Sequence, residues 1–195
     1  MPFKSHLSLF SFQDFFQGNI PLSIQNIEFL PSLIYENPSV EKKTKNYWKK
    51  NLFLYPERLH LGEQFSTQKK HGFFYRFSLR KGEWGYGLFA EEEIPPLTWV
   101  GIYTGVVKRK MPYMRNNPFL VHYPKGFTSF FSYVIDAAQK GNHTRFINHS
   151  PLFNSELKSI FFEGNMQMAI RTTAKVLKNS EITLDYGDKF WKELK

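Results

Sequence analysis

Gly141-Asn-His-Thr-Arg-Phe-Ile-Asn-His-Ser150 is a polar decapeptide with one apolar pair, Phe146-Ile147, inside it. Its two histidines, His143 and His149, have no carboxylate at ligand spacing, so the segment is a poor metal site. It is also a poor serine-nucleophile site, because the chain has no Gly-x-Ser-x-Gly elbow. Its meaning depends on what surrounds it.

Working outward, Tyr133-Val-Ile-Asp-Ala137 precedes it, and Glu181-Ile-Thr-Leu-Asp-Tyr-Gly187 follows it thirty residues on, leading into Asp188-Lys-Phe-Trp191. Upstream lies Gly82-Glu-Trp-Gly-Tyr-Gly87. Glycines let a backbone approach a ligand closely. Taken alone, Gly85-Tyr86-Gly87 reads first as a plain hairpin turn. It has neither the spacing of a phosphate loop nor the further glycine of a dinucleotide fingerprint. Tyr186 alone reads as a core tyrosine at a strand end or as a placed phenol.

From Gly82 onward, short β-like runs alternate with turns. Strands are expected at 87–90, 98–104, 130–135 and 181–184, with a hairpin of 159–162 and 166–171 across Glu163-Gly164-Asn165, where Asn and Gly supply positive φ. Pro21, Pro31 and Pro38 suggest short helices between breaks in residues 1–40. The basic run 41–50 suggests an exposed helix or a contact patch, and 188–195 a short terminal helix. The expected class is β-rich α+β, made of several small sheets, with a partly helical N-terminal region.

The ordered set of motifs resembles the SET domain over roughly residues 82–191. Gly85-Tyr86-Gly87 is similar to the family's Gly-x-Gly. Tyr103-Thr104-Gly105 is similar to its Tyr-x-Gly, and Arg145-Phe-Ile-Asn-His-Ser150 to its central motif. Asp185-Tyr186-Gly187 through Trp191 resembles the ending seen in heterochromatin-type histone methyltransferases. The resemblance implies a SET-domain fold with a C-terminal pseudoknot, divided as 1–81 flanking region, 82–191 SET domain and 192–195 C-terminal end. It implies S-adenosyl-L-methionine as cofactor and the ε-amine of a protein lysine as acceptor. Tyr186 would be catalytic, aided by Tyr103. Trp84, Gly85, Tyr86, Gly87, Arg145, Phe146, Asn148 and His149 would bind the cofactor. Tyr133, Leu157, Phe190 and Trp191 would wall the lysine channel. The alternative is an inactive SET-like module that binds a protein or nucleic acid.

Two departures from the family stand out. Relatives with a zinc-binding, cysteine-rich tail have Cys after Asn-His-Ser. Here that position is Pro151, and the chain holds no cysteine at all, so no metal is expected. The channel wall must then come from Phe190, Trp191, the N-terminal region or a partner. Leu157 stands where relatives carry a Phe or Tyr that tunes the degree of methylation. The compact, cysteine-free form resembles chlamydial-type bacterial SET proteins, which implies a bacterial cytoplasmic protein or one secreted into a host cell and nucleus.

Charge bears on the partner. The net formal charge is +9, with twelve Lys and Arg against six Asp and Glu in residues 1–82. A solvated basic face is the plain reading, and contact with DNA or a nucleosome the functional one. A histone or histone-like substrate is basic too, so charge alone would not capture a free tail. The N-terminal run shows no secretory signal, and no stretch of about 18 apolar residues suggests a membrane span.

Overall fold

The computed structural model describes residues 26–71, 75–82, 85–124 and 132–193. Residues 1–25, Trp84 and Phe130 therefore lie outside what is described here.

Residues 26–37 do not form the helices that the prolines suggested. They form two two-residue strands, β1 (Glu28–Phe29) and β2 (Ile34–Tyr35). Pro38 starts a helix rather than breaking one. Asn37 is extended, and its side-chain oxygen accepts from the N–H groups of Ser39 and Val40, both at 3.1 Å. That cap, with a proline whose missing N–H costs nothing in the first turn, launches α1 (Pro38–Asn51). The basic run 41–50 is thus a helix with one face turned inward. Val40, Thr44 and Trp48 are buried, and the lysines lie opposite.

Helix α2 (Pro56–Lys70) follows. It lies so close to the sheet that a Cβ on Gly62 would sit 1.9 Å from the Phe161 carbonyl oxygen. Phe65 packs edge-on against Trp99 and Phe162, with ring centroids 5.7 and 4.9 Å away.

The remaining strands are β3 (Phe77–Gly82), β4 (Gly85–Ala90), β5 (Trp99–Ile102), β6 (Val106–Arg109), β7 (Leu120–His122), β8 (Tyr133–Asp136), β9 (Lys140–Gly141), β10 (Asn148–His149), β11 (Ser155–Phe162), β12 (Asn165–Thr172) and β13 (Thr183–Leu184); α3 (Gly187–Glu193) closes the chain. Among the described residues they form four small sheets: β1-β9, β3-β4, β2-β6-β8-β7 and β10-β13-β11-β12-β5. The class is the β-rich α+β architecture expected. Strand β2 pairs in parallel with β6, and β1 with β9, so the N-terminal segment completes sheets begun elsewhere. Trp48 belongs to the same core cluster as Leu88, Ile135, Ile170 and Ile182.

The β11–β12 hairpin forms where expected, with one correction. The Phe162↔Asn165 pair closes a two-residue turn in which Glu163 (φ 49°) and Gly164 (φ 76°) carry the positive φ. Asn165 is the first residue of β12. A tight turn of this hand needs positive φ at both central residues, and the register leaves Glu163 to adopt one of them. No helix among the described residues is long and apolar enough to cross a membrane.

Candidate active site

Two segments some thirty-five residues apart are tied side by side. Asn148 and His149 pair in parallel with Thr183 and Leu184, and the Ser150 N–H donates to the Leu184 carbonyl at 3.0 Å. Asn154 fastens the junction from below: its amide donates to the Glu181 carbonyl at 2.8 Å, and its oxygen accepts from the Thr183 N–H at 3.0 Å. The Ser155 hydroxyl donates to the Thr183 carbonyl at 2.7 Å. Backbone groups that a two-residue strand leaves over are therefore satisfied by side chains.

A cavity of about 1010 Å³ opens at this junction. Of the residues singled out in the sequence, it is lined by Gly85, Tyr86, Tyr103, Arg145, Phe146, Asn148, His149, Leu157, Tyr186, Phe190 and Trp191. Three others stand apart. Trp84 is outside the described residues. Tyr133 is a half-buried residue of β8 that packs against the core and does not line the cavity. Gly87 lies behind the wall, where a Cβ would come within 2.1 Å of Glu181 Oε1 and 3.1 Å of Asn148 Nδ2.

Tyr186 is the polar focus. Its hydroxyl donates to the Ile147 carbonyl at 2.6 Å, and its N–H donates to His149 Nδ1 at 3.2 Å. Nδ1 accepts, so the imidazole carries its proton on Nε2. Burial pushes the Tyr186 phenol up to about 12, with the Glu181 charge adding to it. The phenol is neutral near pH 7, and its oxygen keeps lone pairs toward the cavity. Tyr103 donates to the Phe119 carbonyl at 3.0 Å, and burial raises its pKa far above the ordinary value.

Arg145 serves the scaffold. Its Nε and Nη2 donate to the carbonyls of Ala137 and Ala138 at 2.8 and 3.1 Å, and the guanidinium lies over Phe119 at 4.1 Å and Phe146 at 4.9 Å. Its charge is thus used on the protein's own carbonyls and rings. His143, weighed above as a metal ligand, is buried and stacked on Phe77, with Nε2 3.3 Å from the Val100 carbonyl. Among the described residues no cluster of three His, Asp or Glu is placed to hold a metal.

Helix α3 contributes aromatic side chains to the cavity wall. Helix α3 sets the Phe190 ring 4.5 Å from Tyr186, and Trp191 5.1 Å from His149 and stacked over Tyr186 at 6.4 Å. Ile27 from the N-terminal region lines the cavity as well. Sequence reasoning missed Phe119 and Met168, which line the cavity from outside any motif, and Glu181, whose carboxylate accepts from Asn148 Nδ2 at 2.8 Å.

The cavity at this chain crossing thus has seven aromatic side chains in its lining, and two of its phenols, Tyr103 and Tyr186, are held by hydrogen bonds to carbonyls. The model of the family described as SET domain matches residues 85–187. The chain is 33% identical over 138 residues to an H3 lysine-4 specific histone-lysine N-methyltransferase of Chaetomium globosum, covering 67% of this chain and 12% of that protein. It is 36% identical over 110 residues to histone-lysine N-methyltransferase SETD2 of Homo sapiens, covering 52% of this chain and 4% of that one. A solved structure of a humanized mutant of the Chaetomium thermophilum Polycomb Repressive Complex 2 superposes with a TM-score of 0.52 at 25% identity, over 61% of this chain and 16% of that chain. The chain belongs to the SET-domain family, and it spans a small part of the length of these relatives.

Proposed function

We propose that the chain transfers methyl groups from S-adenosyl-L-methionine to the ε-amine of a protein lysine, with a histone or histone-like protein as substrate. The observation that carries this reading is the neutral Tyr186 phenol, donated to Ile147 and facing a cavity walled by Tyr103, Phe190 and Trp191. The SET relatives named above as histone-lysine methyltransferases support the substrate class.

The residues present fit the cofactor. The cavity is of the size that holds a drug-sized ligand with room beside it. Gly85, at φ 99° with nothing within 4 Å of where a Cβ would stand, leaves its backbone open to a ligand. Arg145 is held by the Ala137 and Ala138 carbonyls, which fixes the wall it contributes to the cavity. The backbone at Gly85 and Tyr86 would hold the amino-acid end, with Asn148 and His149 beside it. When bound, S-adenosyl-L-methionine supplies a methyl group on a positively charged sulfur.

The protein's own part is to present a neutral amine in line with that methyl. A free lysine has a pKa of about 10.4, so roughly one in 10³ is neutral near pH 7. An aromatic channel disfavours the ammonium, and water can carry the proton away. The Tyr186 oxygen, its proton engaged by Ile147, would be free to accept from an amine N–H and, through weak contacts worth about 0.5–1 kcal/mol each, from a methyl group on a positively charged sulfur. Alignment supplies much of the rest. Leu157, in place of a phenol, leaves room for di- or trimethylation.

Helix α1 exposes Lys42, Lys43, Lys45, Lys49 and Lys50 opposite its buried face. This face supports a DNA or nucleosome contact, which would bring a basic enzyme to a basic substrate. A steep loss of duplex binding with added salt checks it. The cysteine-free sequence supports a bacterial protein, kept in the cytoplasm or delivered to a host nucleus, which fractionation of both cells checks.

The deciding experiment is labelled-methyl transfer to histones and to bacterial protein mixtures, wild type against Tyr186→Phe. Equal labelling by both would remove Tyr186 from its role. Wild-type protein that binds no S-adenosyl-L-methionine at millimolar concentration would favour the inactive, partner-binding module.

A further inference from the structure

Asn148 donates through Nδ2 to two groups, Glu181 Oε1 at 2.8 Å and the Tyr86 carbonyl at 3.4 Å. Both are acceptors only: a carboxylate and a peptide oxygen have no proton to offer. The amide therefore has one orientation. Its NH₂ group must face Glu181 and Tyr86, and its oxygen must face away from them. Asn148 lines the cavity, and its Oδ1 has no protein partner among the described residues.

Glu181 is itself held firmly. Its carbonyl accepts from Asn154, Phe89 bridges to it, and the next residue's N–H donates to the Leu88 carbonyl at 2.8 Å. Gly87 lies directly against the carboxylate, where no side chain would fit. No cation is paired with this carboxylate among the described residues. Glu181 does not line the cavity; it touches Asn148, which does.

We infer that Glu181 is a positioning residue: it locks the Asn148 amide so that its oxygen is offered to the cavity as an acceptor for the α-ammonium of the cofactor's amino-acid end. The inference rests on the cofactor reading above and assigns the charge preference of that end to a residue outside the cavity wall. Without Glu181, the Asn148 amide is free to turn, and half of its orientations present NH₂ to an ammonium. The Gly87 position follows from the same device, since only glycine leaves space for the carboxylate to reach Asn148.

The test measures binding to the full chain by calorimetry or competition, with three probes. S-adenosyl-L-methionine and S-adenosylhomocysteine carry the α-ammonium; 5′-methylthioadenosine lacks the amino-acid end. Glu181→Ala is expected to weaken the first two by about tenfold, the scale of one charge-assisted hydrogen bond, and to leave the third within about twofold. Glu181→Gln, which keeps an acceptor for Asn148, is expected to restore most of the loss, and thermal melting shows whether both variants are folded. Equal weakening of all three probes would mean a merely structural Glu181 and overturn the inference. So would undiminished binding of S-adenosyl-L-methionine by Glu181→Ala. Wild-type protein that binds none of the three would instead remove the cofactor reading on which the inference stands.

Discussion

The Tyr186 hydroxyl donates to the Ile147 carbonyl across 2.6 Å, joining the C-terminal segment to the residue just before β10. The bond is structural and, in the proposed reading, also sets up the site's chemistry. It fixes the phenol's rotation, and by engaging its only proton it dictates that whatever enters the cavity meets an acceptor.

Tyr186→Phe keeps the ring among Phe190, Trp191 and His149 and removes that acceptor. Methyl transfer is expected to fall by about 10²-fold or more, the usual cost of one aligned polar group in a transition state, while stability drops by only about 1 kcal/mol. Labelled transfer and chemical denaturation of the same variant measure the two effects separately.

Leu157→Tyr places a phenol into the cavity from β11. The product is expected to shift toward monomethyl-lysine, because the added ring occupies room that a second methyl would need. Mass spectrometry of the modified lysine reads this directly, and an unchanged distribution of products would show that the position does not face the acceptor.

Gly62→Ala and Gly87→Ala test two close approaches. At Gly62 a methyl would meet the Phe161 carbonyl oxygen, so the better helix former is expected to destabilise, by about 1–3 kcal/mol of overpacking against a propensity gain of about 1 kcal/mol. Methyl transfer should survive at temperatures where the variant stays folded. At Gly87 the methyl would displace Glu181 and Asn148, so S-adenosyl-L-methionine binding should weaken by more than the melting temperature implies.

His143 carries a pH dependence. Burial lowers its pKa from 6.5 to about 4. The folded state then binds fewer protons than the unfolded one between those values, so stability is fully present above about pH 6.5 and is lost as pH falls toward 4. The loss amounts to roughly 3 kcal/mol by the usual conversion of pKa shift to free energy. Asp136 behaves separately. Burial works to raise its pKa, but hydrogen bonds from Lys108, the Ala138 N–H and Asn117 hold it below the usual carboxylate value, so its loss falls at lower pH. Urea titrations at pH 7, 5.5 and 4.5, with His143→Gln as the comparison, should show the slope in the wild type and flatten it in the variant.

The legible part of this protein was the ordered set of polar motifs. Arg145 to Ser150 and Asp185 to Gly187 stand out as polar runs beside apolar strands, and the structure brings both to one cavity. The Glu181–Asn148 contact was not legible, because it spans thirty-three positions and Glu181 alone looks like an ordinary strand residue. Strands β1 and β2 have two residues each, too few for any alternation to show, and they exist because β9 and β6 offer open edges. Tyr133 was expected in the channel; it is half-buried in β8, which is paired with β6 and β7, and it packs against the core. The turn at Glu163 was misread because nothing in a glutamate announces positive φ; the pairing around it imposes the angle.

Strands β2 and β3 have one more implication. The family match begins at Gly85, yet β6 takes β2 as its neighbour, β4 takes β3, and the Trp48 indole fills the shared interior. A chain cut back to 85–187 would bare two adhesive strand margins and a hole the size of a tryptophan, inviting self-association. The 85–187 stretch that matches the family is thus packed against strands and a helix that lie outside it.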